Sequence, residues 1–330
     1  MKFFSLLGLF FMFGVSFGQT AKPLFETYVH DPVVIKQDNR FYLFCTGNGI
    51  TVYSSNDLNN WKPENQVFDK APEWTKNVVV DFKNHIWAPD ISFHNGEYYL
   101  YYSVSSFAKN TSAIGVATNK TLDSKSKNFK WVDHGIVIES VPNRDMWNAI
   151  DPNLIFDENN TPYLSFGSFW SGLKLVKLNK NLTSIAEPQE WHTIAKRERS
   201  FKLDDKEPGD AALEAPFIFK KDGFYYLFVS FDLCCRGKDS TYKVVVGRSE
   251  KITGPYVDDK GIAMNEGGGK LLIEGNENWF GAGHNSVYSF DGKDYIFYHA
   301  YYAHKNGFPV GQKSELIWTN GWPSLLNPLK

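Results

Sequence analysis

The stretch Ile86-Trp87-Ala88-Pro89-Asp90, followed by the aromatic run Tyr98-Tyr99-Leu100-Tyr101-Tyr102-Ser103, is one of five such pairs in the chain. The other aromatic runs fall at 41–46, 163–167, 224–230 and 295–300, each about a dozen residues after its own short motif. Those motifs are His30-Asp31-Pro32, Asp151-Pro152-Asn153, Glu214-Ala215-Pro216 and Gly283-His284-Asn285. Recurrence at roughly sixty-residue intervals marks a repeated unit, and a blade of four short antiparallel strands fits that length. Five blades closed into a ring predict an all-β fold, a five-bladed β-propeller in a single domain. The first strand of each blade would line a central channel, so that Asp31, Asp151 and Glu214 converge at one mouth. Proline lacks a strand donor and belongs at an edge or at the first residue of a strand, as the innermost strand of a blade allows. It is also expected to hold the preceding Asp31 and Asp151 in extended backbone.

Composition narrows the function classes. The 330 residues are 42% hydrophobic and 16% aromatic, with no linker or low-complexity block to divide them. A formal net charge of −2 with mixed signs offers no basic stripe for nucleic acid, so a neutral or weakly polar ligand is expected. Met1-Lys2 and an apolar run to Phe17, ending Ser16-Phe17-Gly18, read as a signal peptide over 1–18, with the propeller over 19–330. An uncleaved anchor is the other reading of that run, which is short against the roughly 20 residues of a membrane span. Export to the periplasm or the medium follows, with no membrane contact in the mature form and a monomer expected. Of Cys45, Cys234 and Cys235, the last two are adjacent, and a bond between them would be strained, so no disulfide framework is expected. The Gly267-Gly268-Gly269-Lys270 stretch lacks phosphate-loop spacing and reads as a hairpin turn. Without Cys-x-x-Cys or His-Glu-x-x-His, zinc is not expected.

Carboxylates from separate blades suit glycoside hydrolysis, in which one acid protonates the leaving oxygen and a second carboxylate acts on water or on the sugar. Like charges in one channel drive their pKa values apart, so one group can stay protonated while another is a base. Residue chemistry alone does not say which is which. On the same basis His284 reads as a buried, hydrogen-bonding histidine.

The strings around His30-Asp31-Pro32, Ile86-Trp87-Ala88-Pro89-Asp90-Ile91, Asn148-Ala149-Ile150-Asp151-Pro152-Asn153, Leu213-Glu214-Ala215-Pro216-Phe217 and Gly283-His284-Asn285-Ser286 resemble the blade starts of glycoside hydrolase family 43. Tyr98–Val104, Ser168-Phe169-Trp170-Ser171-Gly172 and Ser230-Phe231-Asp232-Leu233-Cys234-Cys235-Arg236 resemble its α-L-arabinan-degrading members. The resemblance implies an inverting mechanism with Asp31 as general base, Glu214 as general acid and Asp151 as the carboxylate that tunes and orients the acid. It implies that His284 ligates calcium or another cation in the channel, with water completing the shell. Trp87 and Phe107 match aromatic sugar contacts, and Asn153, Ser168 and Cys235 match positions lining the cleft. Tyr301-Tyr302-Ala303-His304 and Gly281-Ala282 depart from the usual pattern and bear on rim contacts.

The activity this implies is endo-cleavage of α-1,5-L-arabinofuranosidic linkages in pectic arabinan. An exo-acting arabinanase or a β-xylosidase/α-L-arabinofuranosidase shares fold and mechanism, and a non-catalytic carbohydrate-binding propeller is a further alternative that the three acids argue against. Five-bladed fructan hydrolases are set aside because the Trp-x-Asn-Asp-Pro-Asn motif is missing before Asp31.

Overall fold

The computed structural model describes residues 27–329, and the leader read at 1–18 lies outside them. Five antiparallel sheets follow one another along the chain. Blade one comprises Val33–Gln37, Arg40–Cys45, Thr51–Ser55 and Lys62–Pro63, and blade two His85–His94, Glu97–Val104, Ser112–Asn119 and Val132–Ser140. Blade three comprises Asn153–Phe156, Pro162–Phe166, Leu173–Lys177 and Trp191–Ala195. Blade four runs through Leu213–Lys221, Phe224–Phe231, Lys243–Ser249 and Lys270–Glu274, and blade five through Trp279–Phe290, Lys293–Tyr302, Phe308–Thr319 and Trp322–Leu325. The short strand Gly47–Asn48 leaves blade one to pair with the start of blade two.

The aromatic runs form the second strand of each blade, and their alternation explains the packing. Side chains of successive strand residues leave opposite faces of a sheet. Tyr98, Leu100, Tyr102 and Val104 therefore pack with Phe44 and Val52 of blade one, while Tyr101 packs with Leu154 and Leu164 of blade three. Blade four repeats the pattern: Tyr225, Leu227 and Val229 face blade three, and Tyr226 and Phe228 face blade five. Each of the five blade interfaces thus holds its own apolar cluster, the last joining Val34, Phe41 and Leu43 to Phe290 and Phe297. Among the described residues the ring closes without strand exchange. Beyond that apolar cluster, blades five and one are joined by bonds such as Ser286 Oγ to the Pro32 carbonyl at 2.7 Å and Val29 N–H to the Pro309 carbonyl at 3.4 Å.

The backbone before the prolines corrects one expectation. Asp31, Ala88, Asp151 and Ala215 are not extended but left-handed, with φ of 55°, 43°, 60° and 56°, and His284 joins them at the matching position of blade five with φ of 49°. Proline disfavours the right-handed helical region for its predecessor, and a bulge resolves the conflict. Strand register shifts at this point in blades two, four and five. A second correction concerns Gly267–Gly269, which leads from a short 3-10 turn (Met264–Glu266) into the outermost strand of blade four and does not close a hairpin.

Leu100 is fully buried between blades one and two. Leu100→Ala should lower unfolding stability by about 2–5 kcal/mol, read as a lower denaturant midpoint, with specific activity of the folded protein retained.

Candidate active site

The five left-handed residues surround one end of the channel, and the N–H of each is bonded to a neighbouring blade. Ala88 N–H donates to Thr46 Oγ1 (2.8 Å), Asp151 N–H to Ser103 Oγ (3.1 Å), His284 N–H to Ser230 Oγ (2.8 Å) and Asp31 N–H to His299 Nδ1 (3.2 Å). Thr46, Ser103, Ser230 and His299 occupy equivalent places at the end of the second strand, opposite His30, Trp87, Glu214 and Gly283. In blade three that place is Gly167, whose N–H bonds the Ile150 carbonyl but which has no side chain to offer. There the Asp151 carboxylate substitutes, its Oδ2 accepting Ala215 N–H at 3.0 Å. Gly167 also sits at φ 126°, where a side chain would be strained.

This scaffold brings Asp31, Asp151, Glu214 and His284 to one cavity of about 560 Å³, also lined by Trp87, Phe107, Ser168 and Cys235. Asn153 is the exception. It is buried below the cleft, where Asp90 Oδ1 accepts from its amide at 3.4 Å and its own Oδ1 accepts Ile218 N–H at 2.9 Å, tying blades two, three and four together. Its place two residues past the left-handed turn carries it beneath the mouth. Phe107 is 72% exposed, while Trp87 is anchored through its indole N–H to His85 Nδ1 at 2.8 Å.

Asp31 is the most heavily contacted acid. Thr46 accepts Ala88 N–H and so turns its own hydroxyl hydrogen toward Asp31 Oδ2. His284 Nδ1 lies 3.0 Å and His30 Nδ1 2.7 Å from Asp31 Oδ1, the latter a close polar contact rather than an aligned hydrogen bond. The Tyr301 hydroxyl accepts Cys235 N–H at 2.6 Å and faces His30 Nε2 at 3.0 Å, fixing the ring that lies beside Asp31. Burial by itself would raise the Asp31 pKa, but His284 above all, and then His30, hold it well below the usual range. His299 is fully buried, which pushes its pKa well down and leaves it a neutral acceptor for Asp31 N–H.

Asp151 has the opposite environment. Burial first, then the charges of Glu214 and Asp31, push its pKa well above the usual range despite the nearby His284. Glu214 is held at both oxygens, Oε1 by the Tyr242 hydroxyl at 2.7 Å and Oε2 by the Ser168 hydroxyl at 2.7 Å. Gly283 permits this approach, since a Cβ there would fall 2.1 Å from the Tyr242 ring. Burial lowers the His284 pKa, but Asp31, Asp151 and Glu214 outweigh it and raise the value to about 9. His30, Thr46, Tyr242 and Tyr301 carry this geometry without having been singled out as site residues from the sequence. His30 and Tyr301 lie in quoted motifs; nothing local marks Thr46 or Tyr242, which reach the acids across 15 and 28 residues of chain. Cys234 and Cys235 are disulfide-bonded to each other on the cleft wall, while Cys45 is free and buried. A bridge between neighbours closes no loop and so does not staple the fold.

A five-bladed propeller whose channel mouth gathers three carboxylates of unlike environment has the equipment of a glycoside hydrolase. Residues 20–323 match the family described as Glycosyl hydrolases family 43, and the chain belongs to that family. It is 56% identical over 298 residues to an extracellular exo-α-(1→5)-L-arabinofuranosidase of Cellvibrio japonicus, covering 90% of this chain and 86% of that protein. It is 42% identical to an extracellular endo-α-(1→5)-L-arabinanase of Bacillus subtilis, with 90% and 87% covered. The solved α-L-arabinanase of Cellvibrio cellulosa in complex with arabinohexaose superposes with a TM-score of 0.89 at 56% identity, covering 91% of this chain and 95% of that one.

Proposed function

We propose that this protein is an exported, monomeric hydrolase of α-1,5-linked L-arabinofuranosyl chains, acting with inversion. The observation that carries the reading is the division of the site into an ionised Asp31, held by two histidines and Thr46, and an Asp151 pushed toward its protonated form near Glu214. Asp31 takes a proton from a water molecule as that water attacks the anomeric carbon. Glu214, aimed by Tyr242 and Ser168, gives its proton to the leaving glycosidic oxygen on the other side. The charge of Glu214 helps to push the Asp151 pKa up, so Asp151 holds a proton beside the acid that it orients. Trp87 and Phe107 supply apolar faces for the furanose rings.

The relative 56% identical to this chain is named as exo-acting and the one 42% identical as endo-acting. The higher identity favours attack from a chain end, and internal cleavage, the expectation drawn from the sequence, is the second reading. An exo mode yields one short product from the start of reaction on debranched arabinan and a slow fall in viscosity. Early release of a ladder of oligosaccharides would establish the endo mode instead.

Asp31→Asn and Glu214→Gln should each lower kcat by about 10²–10⁴-fold while retaining oligosaccharide binding. Glu214→Gln should lose far less on an aryl arabinofuranoside whose leaving group needs no proton, whereas Asp31→Asn should lose equally on both. Proton NMR of the first product should show the inverted anomer; initial retention would exclude Asp31 as a base toward water.

The same field that raises His284 favours any positive charge at its place. His284 Nδ1 is engaged with Asp31, leaving Nε2 as the one ligand atom, so a hard cation such as calcium would take the rest of its shell from water. We propose that calcium or another cation binds there in place of the proton and adds positive charge beside the carboxylates. In chelated protein the His284–Asp31 pair, with its histidine raised above the unfolded value, contributes fully below about pH 6.5 and is lost as pH rises through about 9. Thermal stability should fall over that window and calcium should restore it chiefly at the alkaline end. His284→Ala should abolish both effects, and calcium without effect at pH 9 would remove the cation from the proposal.

A further inference from the structure

A second cavity, of about 760 Å³, opens between the outermost strands of blades two and three, Val132–Ser140 and Trp191–Ala195. Its walls carry two partly exposed indoles, Trp147 and Trp191, with ring centroids 5.0 Å apart. The Trp147 N–H is buried and has no partner among the described residues. Lys174 also lines the cavity with only 9% of its surface exposed, its amine donating to the Ser171 carbonyl at 3.0 Å and to Thr193 Oγ1 at 2.9 Å. A lysine amine has three donors, so one remains.

Charge on the walls is balanced. Arg144 is paired with Glu139 at 3.2 Å and Asp145 at 2.7 Å, which leaves no field for an anion. Indole surface beside unused donors and a neutral rim suits a polyhydroxylated, uncharged chain, the same composition of surface that takes sugar in the active cleft. The two cavities also share a wall. Trp147 lines the outer one and the adjacent Asn148 the catalytic one; Ser171 and Trp170 divide in the same way. The wall is braced by Ser171 N–H to the Met146 carbonyl at 2.9 Å and by Asn110, whose amide donates to the Asp145 and Trp147 carbonyls at 2.9 and 3.3 Å.

We propose that this groove is a second binding site for arabinofuranose units, holding polymer beside the cleft without taking part in the chemistry. It rests on the arabinan reading of the active site. Two sites on one rigid body raise retention on a polymer that spans or crowds them, with no effect on substrates short enough to occupy one.

The test uses Glu214→Gln protein to stop turnover and native gel electrophoresis through debranched arabinan. Adding Trp191→Ala should reduce retardation by about threefold or more, the scale expected when one of two linked sites is lost. In the otherwise wild-type enzyme the same change should leave kcat/KM on arabinotriose unchanged and lower it on the polymer. Ile136→Arg is the second variant, because Ile136 lines the groove, is 38% exposed and can be enlarged without emptying the core. It should act in the same direction if Trp191→Ala impairs folding. Polymer cleavage with retardation and polymer-to-trimer rate ratio unchanged in both variants would overturn the second site alone. A protein that neither binds nor cleaves arabinan would overturn both readings.

Discussion

The site depends on one repeated contact: a left-handed residue at the start of each blade, its N–H bonded to a side chain of the blade before. A buried N–H without a partner costs about 1–3 kcal/mol, so all five turns require an acceptor in place. Thr46, Ser103, Ser230 and His299 provide four, and Asp151 provides the fifth where Gly167 has no side chain. In blades one, three and five the left-handed residue is itself a site group, Asp31, Asp151 or His284. In blades two and four the residue before it, Trp87 or Glu214, lines the cleft. The same contact therefore locks neighbouring blades and aims the chemistry.

The electrostatics follow from that geometry. Three acids gathered at one mouth, two of them buried, cannot all ionise without compensation. Asp31 gains it from His284 and His30 and remains charged, whereas Asp151, facing Glu214 with only a backbone donor of its own, is pushed toward the protonated form. His284 gains from all three acids. Unlike environments for like groups are what an acid–base mechanism needs, and here they arise because His284 and His30 contact Asp31 while Asp151 is buried beside other carboxylates.

Packing between blades explains how so small a motif can be held in register. The aromatic second strands send alternate side chains to either side, so each blade is buried on both faces and the ring needs no strand exchanged across its seam. The cost of this arrangement is a backbone forced through left-handed turns at the channel, a conformation uncommon outside glycine and concentrated at functional sites.

The repeat was legible in the chain itself, because period-two alternation and proline punctuation are local properties of sequence. Those properties predicted five blades and the convergence of Asp31, Asp151 and Glu214 on one mouth, whereas the channel position of His284 was implied by the family resemblance. Asn153 was misplaced, since whether a residue lies at the mouth or beneath it turns on the left-handed turn at Asp151, which residue type does not report. The extended backbone expected before proline gave way to hydrogen bonds supplied by another blade. Thr46, Tyr242 and Tyr301 could be found only in three dimensions, for their partners lie 15, 28 and as many as 271 residues away. Residue order alone determined which acids the site would contain. The contacts that divide those acids into one held ionised and one held protonated, chiefly His284 on Asp31 and Glu214 beside Asp151, come from other blades, and only folding brings them within reach.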